Sequence, residues 1–547
     1  MAKRLAFNTQ QSPEVRDKLR AGIQQLADAV RITLGPSGRV VMYEREFGDP
    51  AITKDGVTVA RQVTSPDTFE NMAISMVRQA AAKTASQAGD GTTTATIYAE
   101  AIFNAGIKRV AAGASSQEVR RGIEHAVSMI VDKLNEKAKP TIDLEQIKQV
   151  AVCSSNQDQE VGEMIASALD QVGTDGVVTI EEGQTLNTTV NVLDGLQILR
   201  GYMSPQFATN PETLECEYED PMILITEEKV ADVKTVLAIL TLAVKKLGNK
   251  PLVLIADEVS EDCLSALIIN RIKAQIQIVA VKAPGFGDRR RQILDDIAIV
   301  TGATVLSRGG VSLAQVNESH LGTCKRIKID RDVTVILEGG GDPEKIEART
   351  QLLRSQLANV PGDFDKERVQ ERLARLTGGV AQIIVGGATE VEVREKKDRI
   401  DDALHACKAA IEEGILPGGA VAAIHARREI LAADDTEERS DDFKIGVSIL
   451  MNALEAPLRQ IATNTGEDDG VVASRVKESD DPSFGYDAVT KSYGDMIERG
   501  IIVPAKVERV ALQNAASVSG LLLTTDCMIT LNKDITAPGG PFPSLGM

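Results

Sequence analysis

Ala88-Gly89-Asp90-Gly91-Thr92-Thr93-Thr94-Ala95 is the stretch on which the reading of this chain turns. Glycines at 89 and 91 remove the side chains that would keep a ligand off the backbone. Three β-branched threonines follow where a helical pattern begins, although threonine is a poor interior helix former and a good cap. Unpaired N–H groups and hydroxyls at a helix start make an anion site. Asp90 fits inside such a site if Mg²⁺ accompanies a phosphate. A glycine turn with a threonine cap is the competing reading of the same residues.

Downstream, the pattern predicts a long helix from about Thr92 to Val110, then alanine-rich helices to about Lys139. Upstream, Ser12-Pro13 predicts an N-cap with proline at the first helical position. Val15, Leu19, Ile23, Leu26, Val30 and Leu34 then recur every three or four residues, one apolar face ended by Gly35-Pro36. A short β-rich segment follows at Val40 to Tyr43. From about Gly173 strand-like runs alternate with amphipathic stretches: Val177–Ile180, Met222–Thr226, Pro251–Ala256, Ile276–Val281 and Val333–Leu337. That alternation predicts a sheet covered by helices. Asp342 to Leu376 reads as a charged helical hairpin, Ala381–Val385 as a strand, and Asp402 onward as mainly helical. The Pro/Gly-rich tail reads as mobile.

With 547 residues the chain is too long for one core and predicts three or four domains. Its net charge of −18 opposes the basic surface that duplex binding needs. No Trp and 3% aromatics leave few platforms for stacking bases, so nucleic acid is not an expected partner. No apolar run reaches membrane-spanning length, and the first fifteen residues hold no apolar signal core, so the expected compartment is the cytoplasm. The six cysteines are scattered without a CxxC pair, which fits reduced, structural thiols rather than a metal or nucleophile site.

Two other segments resemble the first in character: Thr33-Leu34-Gly35-Pro36-Ser37-Gly38 and Ile52-Thr53-Lys54-Asp55-Gly56. Each alone reads as a turn. A fourth runs from Asp401-Asp402 to Ile415-Leu-Pro417-Gly418-Gly419-Ala420, with Asp402 read at a helix start and the two glycines as a loop free of side chains. A Walker A loop is absent, and Gly285-Phe-Gly287 reads as a turn after a strand.

Together TLGPSG, ITKDG, AGDGTTTA, RGYMSP, VKAPGFGDRR, GGATEVE, DALHA and AAIEEGILPGGA occur in order along nearly the whole chain. In that order they resemble the group I chaperonins. The resemblance implies a multi-domain fold of mixed α and β: a mainly helical equatorial domain (1–138 and 413–547), a small α/β intermediate domain (139–194 and 379–412) and an α/β apical domain (195–378). It implies ATP in the equatorial domain, with Thr33, Leu34, Gly35 and Pro36 along the phosphates and Gly91, Thr92, Thr93 and Thr94 opposite. Asp90 would hold Mg²⁺, while Thr33 and Lys54 would border a monovalent cation, K⁺. Asp55 and Asp402 would position the attacking water, Asp402 arriving as the intermediate domain closes. Gly418 and Gly419 would approach ribose and base, with Asp487 and Ala488 near the adenine.

The resemblance further implies seven-membered rings, two of them stacked, working with a co-chaperonin ring. Tyr202, Phe207, Leu237, Leu240, Leu264, Ile268 and Ile269 would form an apical groove for non-native proteins and the co-chaperonin. Judged by pattern alone those side chains face a core. The sequence departs from the family at Gln206 (usually aromatic), Asp487 (asparagine) and Val503 (the aspartate that holds the ribose), and it lacks the Gly-Gly-Met tail. These departures are those of a specialised paralogue. An ATP-dependent folding chaperonin is the leading expectation; a ring scaffold or holdase with poor ATP cycling and a metabolic enzyme using ATP on a small molecule are the alternatives.

Overall fold

A computed structural model describes residues 7–531, except 12, 45–49, 141–142, 174–176, 184, 211–212, 246–247, 249, 308–312, 360–368, 370–371, 374, 377–378 and 433–438. The chain divides into two compact units. One comprises Met1–Ser167, Glu182–Thr188 and Val385–Met547; the other comprises Ala168–Glu181 and Thr189–Ile384.

The first unit is built on long helices: Glu14–Val30, Thr68–Ala88, Thr92–Ala111, Ser116–Lys137 and Ala505–Leu523. The periodic face of the first, Val15, Leu19, Ile23, Leu26 and Val30, is fully buried in their shared core. That helix begins at Glu14, with Pro13 as an N-cap that makes no side-chain bond, and Ser12 lies outside the described residues. It tightens into a 3₁₀ turn at Arg31–Thr33, so Leu34 leaves the apolar face and reaches the cavity described below. The helix Thr68–Ala88 starts at Asp67, whose carboxylate accepts from the N–H groups of Phe69 and Glu70. It stops at Gly89, whose φ of 75° a side chain would resist.

Asp402 is not at a helix start. The helix runs unbroken from Glu390 to Glu413, capped by Thr389, and Asp402 sits in its interior. The Asp401-Asp402 pair resembles a cap in sequence, but Val393, Ile400, Ala403, Leu404 and Cys407 already supply a continuous buried face across it. The segment after 402 is mainly helical, as expected, with two short strand pairs: Ile415–Pro417 with Ile502–Pro504, and Phe484–Asp487 with Ser492–Asp495.

The second unit has an eight-stranded mixed sheet. Ile278–Lys282, Leu252–Ala256 and Met222–Thr226 are parallel neighbours, and Gly322–Ile329 then runs antiparallel beside Thr334–Gly339. The parallel strands are buried along nearly their whole length, as expected for strands covered on both faces. Helices Val233–Lys245, Glu261–Ala274 and Gly287–Thr301 alternate with them. Val380–Val385 is the strand expected near 381, and Pro343–Asn359 is the first arm of the expected hairpin. The second arm and the tail beyond 531 lie largely outside the described residues.

Candidate functional site

Three of the quoted segments converge in the first unit. Gly91, with φ 84°, precedes the helix Thr92–Ala111, and no side chain caps that helix. Its first N–H groups therefore have no partner within the helix and face outward with the positive end of the dipole. A side chain at 91 would strike Val507 Cγ1 at 2.8 Å. A side chain at 56 would meet Thr93 Oγ1 at 2.2 Å, so only glycine lets the two helix starts come this close. Thr33 joins them: its buried hydroxyl donates to Val30 O at 2.8 Å and lies 3.2 Å from Thr93 Oγ1. Asp55 caps the helix Gly56–Gln62 by accepting from the N–H groups of Val57 and Thr58.

Around these ends lies an open cavity of about 280 Å³. Thr33 to Pro36, Lys54, Asp55, Asp90 to Thr94, Asp402, Gly418, Gly419, Asp487 and Ala488 all line it. Segments as distant in sequence as Thr33 and Ala488 thus form one wall set, and Asp402 is already among them. Sequence reasoning passed over Ser154, Asp398, Arg399 and Glu508, which line it too. Asp398 was within reach, since a helix starting at 390 puts it one turn before Asp402 on the same face. Glu508 gave no such signal: its carboxylate is buried and accepts from Tyr98 Oη at 2.8 Å, joining helices far apart in sequence.

The electrostatics are those of crowded acids. Burial, opposed by bonds from the Gly91 N–H and Ser154, raises the Asp90 carboxyl. Burial and then the charges of Asp55 and Asp90 push Asp402 well above the usual range. Asp398 is raised to about 6 by loss of water and by Asp55 and Asp401. Burial lowers the Lys54 ammonium to about 8, with help from the Arg399 charge. Among the described residues no three acids are drawn together in a ready metal-binding group.

At the far end Asp487 is saturated. Oδ1 accepts from the N–H groups of Val489 and Thr490, and Oδ2 from Thr490 Oγ1 and Arg499 Nη1. Against burial, those bonds hold its carboxyl below the usual range. All six cysteines are free thiols, and burial pushes Cys407 and Cys324 up to about 12, as inert structural thiols require.

The expected apical positions fall in the second unit in two groups. Phe207 (0% exposed), Tyr202 (7%) and Leu240 (7%) are part of its core and offer a bound segment little surface. Leu237 (58%) and Ile269 (51%) stand in solvent, with Leu264 and Ile268 half-buried beside them. The helix Val233–Lys245 is apolar on both sides: Val236, Ile239 and Ala243 face the core, while Val233, Leu237 and Val244 line the outside. No described helix is long and apolar enough to cross a membrane.

The fold is a chaperonin fold. The chaperonin gp146 from the bacteriophage EL 2 (Pseudomonas aeruginosa), crystallised in the presence of ATP-BeFx, matches at a TM-score of 0.71 in its crystal form II. That match has 21% identity and covers 97% of this chain and 100% of that one. Its crystal form I matches at 0.62, with 22% identity and coverage of 96% and 99%. The chain belongs to the TCP-1/cpn60 chaperonin family, whose profile matches residues 26–533.

Proposed function

We propose that this chaperonin is an ATPase that captures non-native proteins and encloses them within a ring. The observation that carries the reading is the uncapped start of the Thr92 helix facing Asp90, Asp55 and Asp402 across one cavity. The family membership and the ATP analogue present with the phage chaperonin support it.

In this reading the N–H groups after Gly91, the hydroxyls of Thr92 to Thr94 and the backbone of Thr33 to Pro36 hold the phosphates. Asp90 takes Mg²⁺, and Thr33 and Lys54 border K⁺. Bound Mg²⁺ would supply charge neutralisation between the phosphates and the acids. Asp55 and Asp402 orient the attacking water, Gly418 and Gly419 admit the sugar and base, and Ala488 flanks the base. Asp487 braces the neighbouring turn instead of reading the base. The division that goes with this reading is 1–138 with 413–547 equatorial, 139–194 with 379–412 intermediate, and 195–378 apical. Leu237, Leu264, Ile268 and Ile269 form the surface for exposed apolar segments and for a co-chaperonin. Val503 at the sugar end favours a second reading, a ring holdase that binds clients but cycles ATP slowly.

Asp402→Ala tests the first reading. It removes a group needed chiefly in the transition state, so Mg²⁺-dependent turnover should fall by about two or more orders of magnitude while ATP still binds. Unchanged turnover would remove Asp402 from the chemistry, and no turnover in the native chain would favour the holdase.

A further inference from the structure

The cavity has two chemically different ends. One holds the uncapped helix start and the acids Asp55, Asp90, Asp398 and Asp402, where burial and then the Asp55 charge raise both Asp402 and Asp398. That end suits a polyphosphate with its cation. The other end is continuous through short contacts: the Gly418 N–H donates to Ile501 O at 2.8 Å, Leu416 pairs with Val503, and Gly419 lies against Tyr486 O. With its phosphates at the first end, a nucleotide has this second end for its sugar and base.

Proteins that select a ribose commonly set an aspartate or glutamate against its hydroxyls. Val503 presents only methyl groups. Asp487 carries four hydrogen bonds already, and the Arg499 that holds it is itself fixed by Ser492 Oγ and Tyr493 O. Glu508 is engaged by Tyr98, and Glu395 by Arg399. Among the described residues, every carboxylate that lines the cavity therefore belongs to the phosphate end or is already bonded to protein.

We propose that this pocket does not read the 2′-hydroxyl of its nucleotide and takes 2′-deoxyribonucleoside triphosphates as readily as ribonucleotides. The inference rests on the nucleotide reading above and narrows its substrate class. A site built to bond a hydroxyl rejects the analogue lacking it, because its own polar group is left unpaired; an apolar wall leaves nothing unpaired and cannot discriminate strongly.

Competition binding and hydrolysis with ATP and dATP, on the full-length assembled protein, test it. The native chain should bind dATP within about two-fold of ATP. V503D should create a preference for ATP over dATP of about ten-fold, since it adds a charged acceptor for the hydroxyl, and V503N a smaller one. Ten-fold weaker dATP binding by the native chain would overturn the proposal and point to a neutral reader such as Asn156. A folded, assembled V503D with no gain in ATP preference would also overturn it, by placing the sugar elsewhere. If neither triphosphate binds, the nucleotide reading itself fails, an outcome distinct from binding without the predicted ratio.

Discussion

Asp398 contributes one separable step to the pH behaviour of the site. Its carboxyl is raised to about 6, above the ordinary aspartate value, so its negative charge appears as pH rises through 6. Asp55 and Asp401 crowd it from the acidic side, and Lys397 and Arg394 partly offset them. A triphosphate without divalent metal should therefore bind more weakly above pH 6 than below it, beyond the effect of its own titration. Asp398→Asn should flatten that step. Because the phosphate titrates identically with both proteins, the difference between their two affinity profiles isolates Asp398. Superimposable profiles would show that its charge does not reach the ligand.

At the scale of elements, the helices Val233–Lys245 and Glu261–Ala274 pack together and expose Leu237, Val244, Ile269 and Ile272. Exposed apolar rows of this kind mark interaction surfaces. Leu237→Ser should weaken capture of a denatured client by at most about 1.5–3 kcal/mol, the burial one leucine can contribute. As Leu237 is 58% exposed, folding stability should change by no more than about 0.5 kcal/mol. Pull-down of a denatured client alongside thermal melting separates the two effects. A large drop in melting temperature with capture intact would return Leu237 to a structural role.

For the whole molecule, open strand edges suit the ring assembly proposed above. Phe7–Gln11 with Cys527–Leu531, and Val41–Tyr43 with Ala51–Thr53, each form only a two-stranded sheet among the described residues. Such pairs are marginal alone and present unpaired strand edges. Met42 is also 67% exposed. Mass photometry should find a species many times the 58.5 kDa subunit. A stable monomer at micromolar concentration would count against enclosure of a client.

Much of this protein is written locally. The apolar face from Val15 to Val30, the helix beginning at Thr92 and the strand Met222–Thr226 each follow from periodicity and from glycine or proline breaks, which act within a few residues. What needed the tertiary structure depends on contacts across hundreds of positions. Asp402 looked like a cap because its neighbours in sequence are those of a cap; only burial of Val393 and Ile400 carries the helix through it. Phe207 and Leu240 share the apolar pattern of Leu237, and the packing of the second unit alone decides that they lie inside and it lies outside. Asp487 lines the cavity, but only the fold shows that four hydrogen bonds already occupy its carboxylate. Hydrophobic period names which residues can be buried or can bind, but choosing among them takes the rest of the chain, because exposure and unmet hydrogen bonds are properties of the folded surroundings.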